Sequence, residues 1–162
     1  MGNLDDATLE FVTPPGETTV EPAQPTVIEL RLGAGGSIRV VARDSVPTGA
    51  ERGVGAVVAS IAELCRKVAG RHWPKVQGCG IGAPGPLDLK RTVIEFAPNL
   101  GWRNVRLGRL LQRKIRKPVR LENDANCAAV GEHFAGAGKG ADSVALWTLG
   151  TGVGGGLVLG GR

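Results

Sequence analysis

Glycine makes up 26 of the 162 residues, and it comes in clusters. Glycine reaches backbone conformations closed to other residues and lets two chain segments approach closely, so such clusters restrict the chain to short elements joined by tight turns. Between the clusters, strand and helix patterns alternate. Residues 27–32 alternate apolar and polar side chains, Gly33-Ala34-Gly35-Gly36 supplies a turn and residues 37–42 return, which predicts a hairpin. Val54, Val57, Val58, Ile61, Leu64, Cys65 and Val68 keep the i, i+3, i+4, i+7 spacing of a half-buried helix. Glu51 near its start, Arg66 and Lys67 near its end and Gly70 beyond suit the helix dipole and a glycine stop.

Further on, residues 76–81 predict a short buried strand entering an irregular loop at 82–88, and residues 92–96 a second strand before the loop at 97–102. Leu107, Leu110, Leu111 and Ile115 mark one face of a helix whose other face is Arg and Lys. Residues 119–121 form a brief strand, 125–135 a helix, and 143–149 and 155–159 two strands joined by a glycine turn. This alternation predicts an α/β fold with ligands at the carboxyl ends of strands. Both Ala83-Pro84-Gly85-Pro86-Leu87-Asp88 and Glu122-Asn123-Asp124-Ala125-Asn126 fall in such positions.

With 42% hydrophobic and 22% charged residues the composition is globular, and the length is that of one domain or a piece of something larger. The first two dozen residues carry prolines at 14, 15 and 22, acids and no basic residue, and they predict a disordered leader. No apolar run nears membrane-spanning length and the N-terminus lacks a basic-then-apolar pattern, so neither membrane insertion nor secretion is indicated. Cys65, Cys79 and Cys127 are far apart in sequence, odd in number and without CxxC spacing, which suits a reduced, cytoplasmic setting. His72 and His133 have no metal-ligand spacing, so no metal-binding residue is assigned. Much of the net charge of +5 lies in residues 103–120, with eight Arg or Lys and no acid. That run could follow a nucleic-acid backbone, but it has only Trp102 nearby for stacking and its apolar face is needed for packing. A solvated basic helix face is the expected reading, with no nucleic-acid partner.

Two stretches could carry chemistry. Asp124, at a strand end between Asn123 and Asn126, could accept the proton of a substrate hydroxyl while the amides hold neighbouring hydroxyls. It could equally cap the helix that begins at Ala125, and the two roles are compatible. Gly150-Thr151-Gly152-Val153-Gly154-Gly155-Gly156 could converge backbone N–H groups on a phosphate. It is neither a P-loop, lacking Lys-Ser/Thr, nor a GxGxxG fingerprint opening a helix, and a hairpin turn or bulge accounts for it as well.

Taken in order, GIGAPGPLD, APNLGW, LENDANCAAVGE, GAGKG and GTGVGGGLVLGG resemble the ROK family (repressor, open reading frame, kinase), whose enzymes include bacterial glucokinases, fructokinases and N-acylhexosamine kinases. The resemblance implies an α/β actin-like ATPase (ribonuclease H-like) fold, here mainly the N-terminal lobe. Residues 27–142 would form that lobe and 143–162 the start of the second. It implies ATP-dependent phosphorylation of a hexose, glucose at its 6-hydroxyl being the expected substrate, with Asp124 as general base. Asn99 and Asn123 would bond sugar hydroxyls, Gly85 would line the same pocket, and Gly150, Thr151, Gly152, Val153, Gly154 and Gly155 would hold nucleotide phosphate. ATP and Mg²⁺ are the implied cofactors, and the full-length family implies a homo-oligomer.

The chain departs from the family pattern at both ends. The DxGGT loop is absent and Val20-Glu21-Pro22-Ala23-Gln24-Pro25-Thr26 stands in its place, while Gly33–Ser37 aligns with the following hairpin turn. The ExGH motif, the zinc site and the adenosine pocket of the family lie beyond Arg162. Residues 1–26 are therefore expected to be aberrant or unrelated sequence and the remainder a truncated or partial reading frame. Two alternatives follow: the sugar-sensing domain of a ROK transcriptional repressor, or an inactive fragment.

Overall fold

The computed structural model describes residues 26–32, 38–149 and 153–161. The predicted leader, the 33–37 turn and the tip of the glycine loop, Gly150, Thr151 and Gly152, lie outside the described residues.

Strand β1 (Thr26–Leu32) pairs antiparallel with β2 (Ile38–Ser45), with a register irregularity between Glu29 and Leu30. Helix α1 (Val54–Ala69) buries Val57, Val58, Ile61, Leu64 and Cys65, as its periodicity predicts, and ends where Gly70 (φ 49°) donates its N–H to Arg66 O. Glu51, near the start of this helix as the sequence suggests, sits in a separate 3₁₀ turn at Ala50–Arg52, set off from the helix by Gly53 (φ 83°).

A 3₁₀ stretch, Gly70–Lys75, delays the next strand, so β3 is Cys79–Ala83 and runs two residues beyond the predicted end. Strand β4 (Ile94–Ala97) is followed by a 3₁₀ turn at Pro98–Leu100, and Gly101 (φ 65°) reverses the chain into β5 (Trp102–Val105), which pairs antiparallel with β4. Sequence patterning leaves β5 unrecognised: its four residues bury only the two ends, Trp102 and Val105. Helix α2 (Leu107–Ile115) buries Leu107, Gly108, Leu111 and Ile115, while Leu110, assigned to the same face, is 37% exposed. Strand β6 (Val119–Asn123) lies parallel to β3, residue 79 opposite 119 through 83 opposite 123. Helix α3 (Asp124–Ala135) begins one residue earlier than predicted. The antiparallel pair β7 (Val144–Leu149) and β8 (Val153–Val158) completes the described chain.

One apolar core joins α1, β3, β4, β5, α2 and β6, with Val57, Leu64, Ile94 and Leu111 its largest fully buried side chains. At roughly 1.5–3 kcal/mol per such side chain removed from water, this core supplies the main driving force. Cys65 and Cys79, far apart in sequence, meet inside it, and the neighbouring Cys79 thiol together with burial pushes the Cys65 thiol well up from its ordinary value. The C-terminal ends of α1 and α2 are tied where Arg66 Nη2 donates to Lys114 O at 2.6 Å. On the β7–β8 ribbon, Trp147, Leu149, Val153 and Leu157 share an exposed face, with Trp147 73% and Leu149 83% exposed. Among the described residues no helix is long and apolar enough to cross a membrane.

Candidate active site

Because β3 and β6 are parallel and in register, both deliver their following residues to the same sheet edge. Residues 84–93 leave β3 there, and α3 begins there after β6. The two are strapped together by one side chain: Asn123 Nδ2 donates to Gly85 O at 3.1 Å. The other end of the same amide caps α3, with Oδ1 accepting from Ala125 N (3.0 Å) and Asn126 N (3.2 Å). Asn123 has the extended backbone of an N-cap (φ −67°, ψ 139°). The capping role that the sequence offers to Asp124 therefore belongs to Asn123.

Asp124 is the first helical residue and is exposed. Its Oδ1 accepts from Ala125 N at 2.8 Å, whereas Oδ2 receives no hydrogen bond among the described residues. A negative charge at this position is also favoured by the helix dipole. Asp124 thus offers one anchored oxygen and one open one.

Glu122, not singled out by sequence, organises both amides around it. Its Oε1 accepts from Asn123 N (2.9 Å) and Asn126 Nδ2 (3.1 Å), and its Oε2 pairs with Arg91. Arg91 itself has φ 52°, unusual for a side-chain-bearing residue, in the turn after β3. That turn is built on Asp88, whose carboxylate accepts from Thr92 N (2.6 Å), Val93 N (2.7 Å) and Thr92 Oγ1 (3.1 Å). The Thr92 N–H, then the Val93 N–H, hold the Asp88 carboxyl below its ordinary value. The Asp-x-x-x-Thr spacing was a readable sign of this turn. The Glu122–Arg91 pair had none, because the partners are thirty-one residues apart.

Gly85 (φ 85°) lies so close to β4 that a Cβ there would overlap Phe96 O, and Glu95 N donates to Pro86 O at 2.9 Å. This holds the loop against the strand leading to the Pro98–Leu100 turn, which carries Asn99 with its side chain exposed. Gly85 and Asn123 are therefore joined by a direct hydrogen bond, Asp124 follows Asn123 in the chain, and Asn99 stands three residues beyond Phe96, whose carbonyl oxygen Gly85 approaches.

Of the six predicted phosphate-loop residues, Gly150, Thr151 and Gly152 lie outside the described residues. Val153, Gly154 and Gly155 lie in β8 opposite Leu149, Thr148 and Trp147. A Cβ on Gly154 would stand 3.3 Å from Ala125 Cβ, and one on Gly156 2.7 Å from Ala129 Cβ and within contact of Ala125 O. These glycines let β8 press against the first turns of α3, next to Asp124. Gly156, outside the predicted set, makes the tighter approach. Among the described residues no group of three or more His, Cys, Asp or Glu side chains could hold a metal ion.

The family model described as ROK family matches residues 28–162. A glucokinase of Halalkalibacterium halodurans is 41% identical over 126 residues, which is 76% of this chain and 38% of that protein. A xylose repressor of Caldicellulosiruptor bescii is 39% identical over 85 residues, 52% of this chain and 21% of that one. A crystal structure of a ROK family glucokinase from Streptomyces griseus in complex with glucose and AMPPNP superposes with a TM-score of 0.71 at 39% identity, covering 76% of this chain and 38% of that one. The chain spans less than two fifths of the length of these glucokinases, its architecture is part of the actin-like ATPase fold of ROK sugar kinases, and it belongs to the ROK family.

Proposed function

We propose that the chain carries the sugar-binding, base-bearing part of an ATP-dependent hexose kinase, with glucose as substrate and Asp124 as general base. The observation that carries this reading is the asymmetry of Asp124: Oδ1 is anchored by the Ala125 N–H and Oδ2 is open at the edge where Gly85 and Asn123 meet. Oδ2 would accept the proton of the attacking hydroxyl. In a loose phosphoryl-transfer transition state the base acts late, and positioning supplies most of the rate. An Asn amide has two N–H donors, and Gly85 O takes one from Asn123, so one remains for a sugar hydroxyl. Asn99, exposed on its turn, would bond a second. Gly154, backed by α3, would bring the phosphate end of ATP alongside, together with Gly150, Thr151, Gly152, Val153 and Gly155. Mg²⁺ in this reading is carried largely by the nucleotide phosphates. Residues 27–142 would then be one lobe and 143–162 the opening of the next. The likeness to glucokinases, one of them solved with glucose and AMPPNP, supports this assignment.

The test is a chimera in which this chain replaces the matching segment of the H. halodurans glucokinase, assayed for glucose 6-phosphate. Activity is expected in the chimera, and Asp124→Asn should lower kcat by about 10²–10⁴-fold, the range for a positioned base. A variant that keeps kcat within tenfold would exclude Asp124 as the base.

The likeness to a xylose repressor favours a second reading, a sugar-sensing domain without turnover. It is told apart by a chimera that binds glucose in calorimetry yet forms no sugar phosphate.

A further inference from the structure

The sugar reading leaves the ion pair between Arg91 and Glu122 without a task. Residues 88–93 are the tip of a hairpin, closed where Leu87 bridges Ile94 and where Asp88 N donates to Val93 O at 3.1 Å. Leu89 and Lys90 at the tip are exposed, whereas the residue after them turns back on the site. Arg91 N donates to Asp88 O at 2.8 Å, and its guanidinium Nη1 reaches Glu122 Oε2. This side chain ties the hairpin tip to the end of β6.

Folding stability does not account for the pair. Its side chains are 65% and 26% exposed, and ion pairs so open to water add little to stability. Arg91 also holds φ 52°, a conformation that a side-chain-bearing residue adopts at a cost. Cost without return in stability points to a task at a site, and the task follows from what Glu122 holds.

A carboxylate only accepts, and the two oxygens of Glu122 are divided. Oε2 is taken by Arg91, and Oε1 receives Asn123 N at 2.9 Å and Asn126 Nδ2 at 3.1 Å. Anchoring Oε2 restrains rotation of the carboxylate and so keeps Oε1 on both donors. The first of these bonds fixes the peptide plane entering Asn123, and with it the direction in which the Asn123 amide leaves the backbone toward Gly85 O. The second fixes the Asn126 amide with Nδ2 toward Glu122, which leaves its Oδ1 for a donor such as a hydroxyl. We propose that Arg91 and Glu122 are positioning residues for sugar binding, the ion pair setting the amides of Asn123 and Asn126 to bond the hydroxyls of a hexose. The inference rests on the sugar-binding reading of this edge and adds to it two residues that act through the amides.

The experiment is calorimetric titration of the 162-residue chain with glucose, with kinetics of the glucokinase chimera alongside. Arg91→Gly removes the guanidinium and places at φ 52° a residue that adopts it freely, so its urea midpoint should equal or exceed that of the unmodified chain. Its Kd for glucose should nevertheless rise about fivefold or more, the scale of one lost hydrogen bond. In the chimera KM for glucose should rise as much while KM for ATP stays within about twofold, a split that general loosening of the fold does not produce. Glu122→Gln keeps an oxygen for the two amides but offers no charge to Arg91, so it should match Arg91→Gly. The double variant should be no worse than either single, because all three remove one interaction. Arg91→Lys should stay within about twofold of the unmodified chain, since the pair is made through one nitrogen. An unchanged Kd in Arg91→Gly, a lowered urea midpoint accompanying the loss of affinity, or single effects that multiply in the double would overturn the proposal while leaving the sugar reading intact. Absence of glucose binding by the unmodified chain would overturn the sugar reading and this inference with it.

Discussion

Replacing Gly85 by Ala separates two costs that are usually confounded. The residue has φ 85°, and its Cβ would overlap the backbone oxygen of Phe96, which belongs to β4 and has little freedom to withdraw. A side chain at positive φ costs about 1–2 kcal/mol. Relieving the overlap by backbone shift adds about 1–3 kcal/mol, as overpacking does. Moving Gly85 O away from Asn123 Nδ2 then forfeits a hydrogen bond worth about 0.5–1.5 kcal/mol. The expected loss is about 2.5–6.5 kcal/mol, a large fraction of the stability of a domain this size. Gly101→Ala is the internal control, since Gly101 has φ 65° but open space around its Cβ, and it should lose only the first of these costs. Urea unfolding followed by far-UV circular dichroism measures both. With a slope of about 2 kcal/mol/M, the Gly85 midpoint should fall by about 1 M or more beyond that of Gly101→Ala. Coincident midpoints would refute the claim that the loop is wedged against β4.

Two further outcomes concern the same edge. Asn123→Ala should destabilise by about 1–2 kcal/mol through loss of the cap, and Asn123→Ser should restore only part of it, because a hydroxyl can cap α3 but is too short to reach Gly85 O. Full recovery in Ser, measured by urea midpoint, would mean that the strap contributes nothing. Asp88 has a folded pKa below its ordinary 3.8, so its contribution is complete above pH 3.8 and is lost as pH falls through the lower folded value. The Thr92 and Val93 amide resonances should therefore shift below pH 3.8 in step with each other, and Asp88→Asn should abolish the shift.

How much of this was legible in the sequence depends on the range of the interaction. Helix α1 was read almost to the residue, because seven apolar side chains at helical spacing report burial on one face. Strand β5 was missed because four residues cannot show a period, and its existence depends on pairing with β4. Leu110 was misassigned because helical spacing tolerates a wider stripe than the groove between α1 and β6 accepts. At the site, Asp124, Asn123 and Gly85 were named from motif order, but their division of labour was not. Whether Asn123 or Asp124 caps α3 depends on the dihedrals of a single residue, and whether Gly85 is needed depends on β4, eleven residues away. Cys65 and Cys79 make the same point, since only the packing of α1 on β3 brings the two sulfurs together.

The β7–β8 ribbon has two unlike sides. Its inner side is fitted to α3 through glycines, so the ribbon adheres by backbone closeness and by the buried Val158. On its outer side Ala145 stands opposite Leu157, Trp147 opposite Gly155 and Leu149 opposite Val153, an apolar surface turned to water. An isolated two-stranded hairpin is marginal in water, so the shape of this outer surface is lent to it by α3. The consequence is colloidal: a preformed apolar strip is left open to water, and the chain's behaviour in solution will depend on its concentration as much as on its fold.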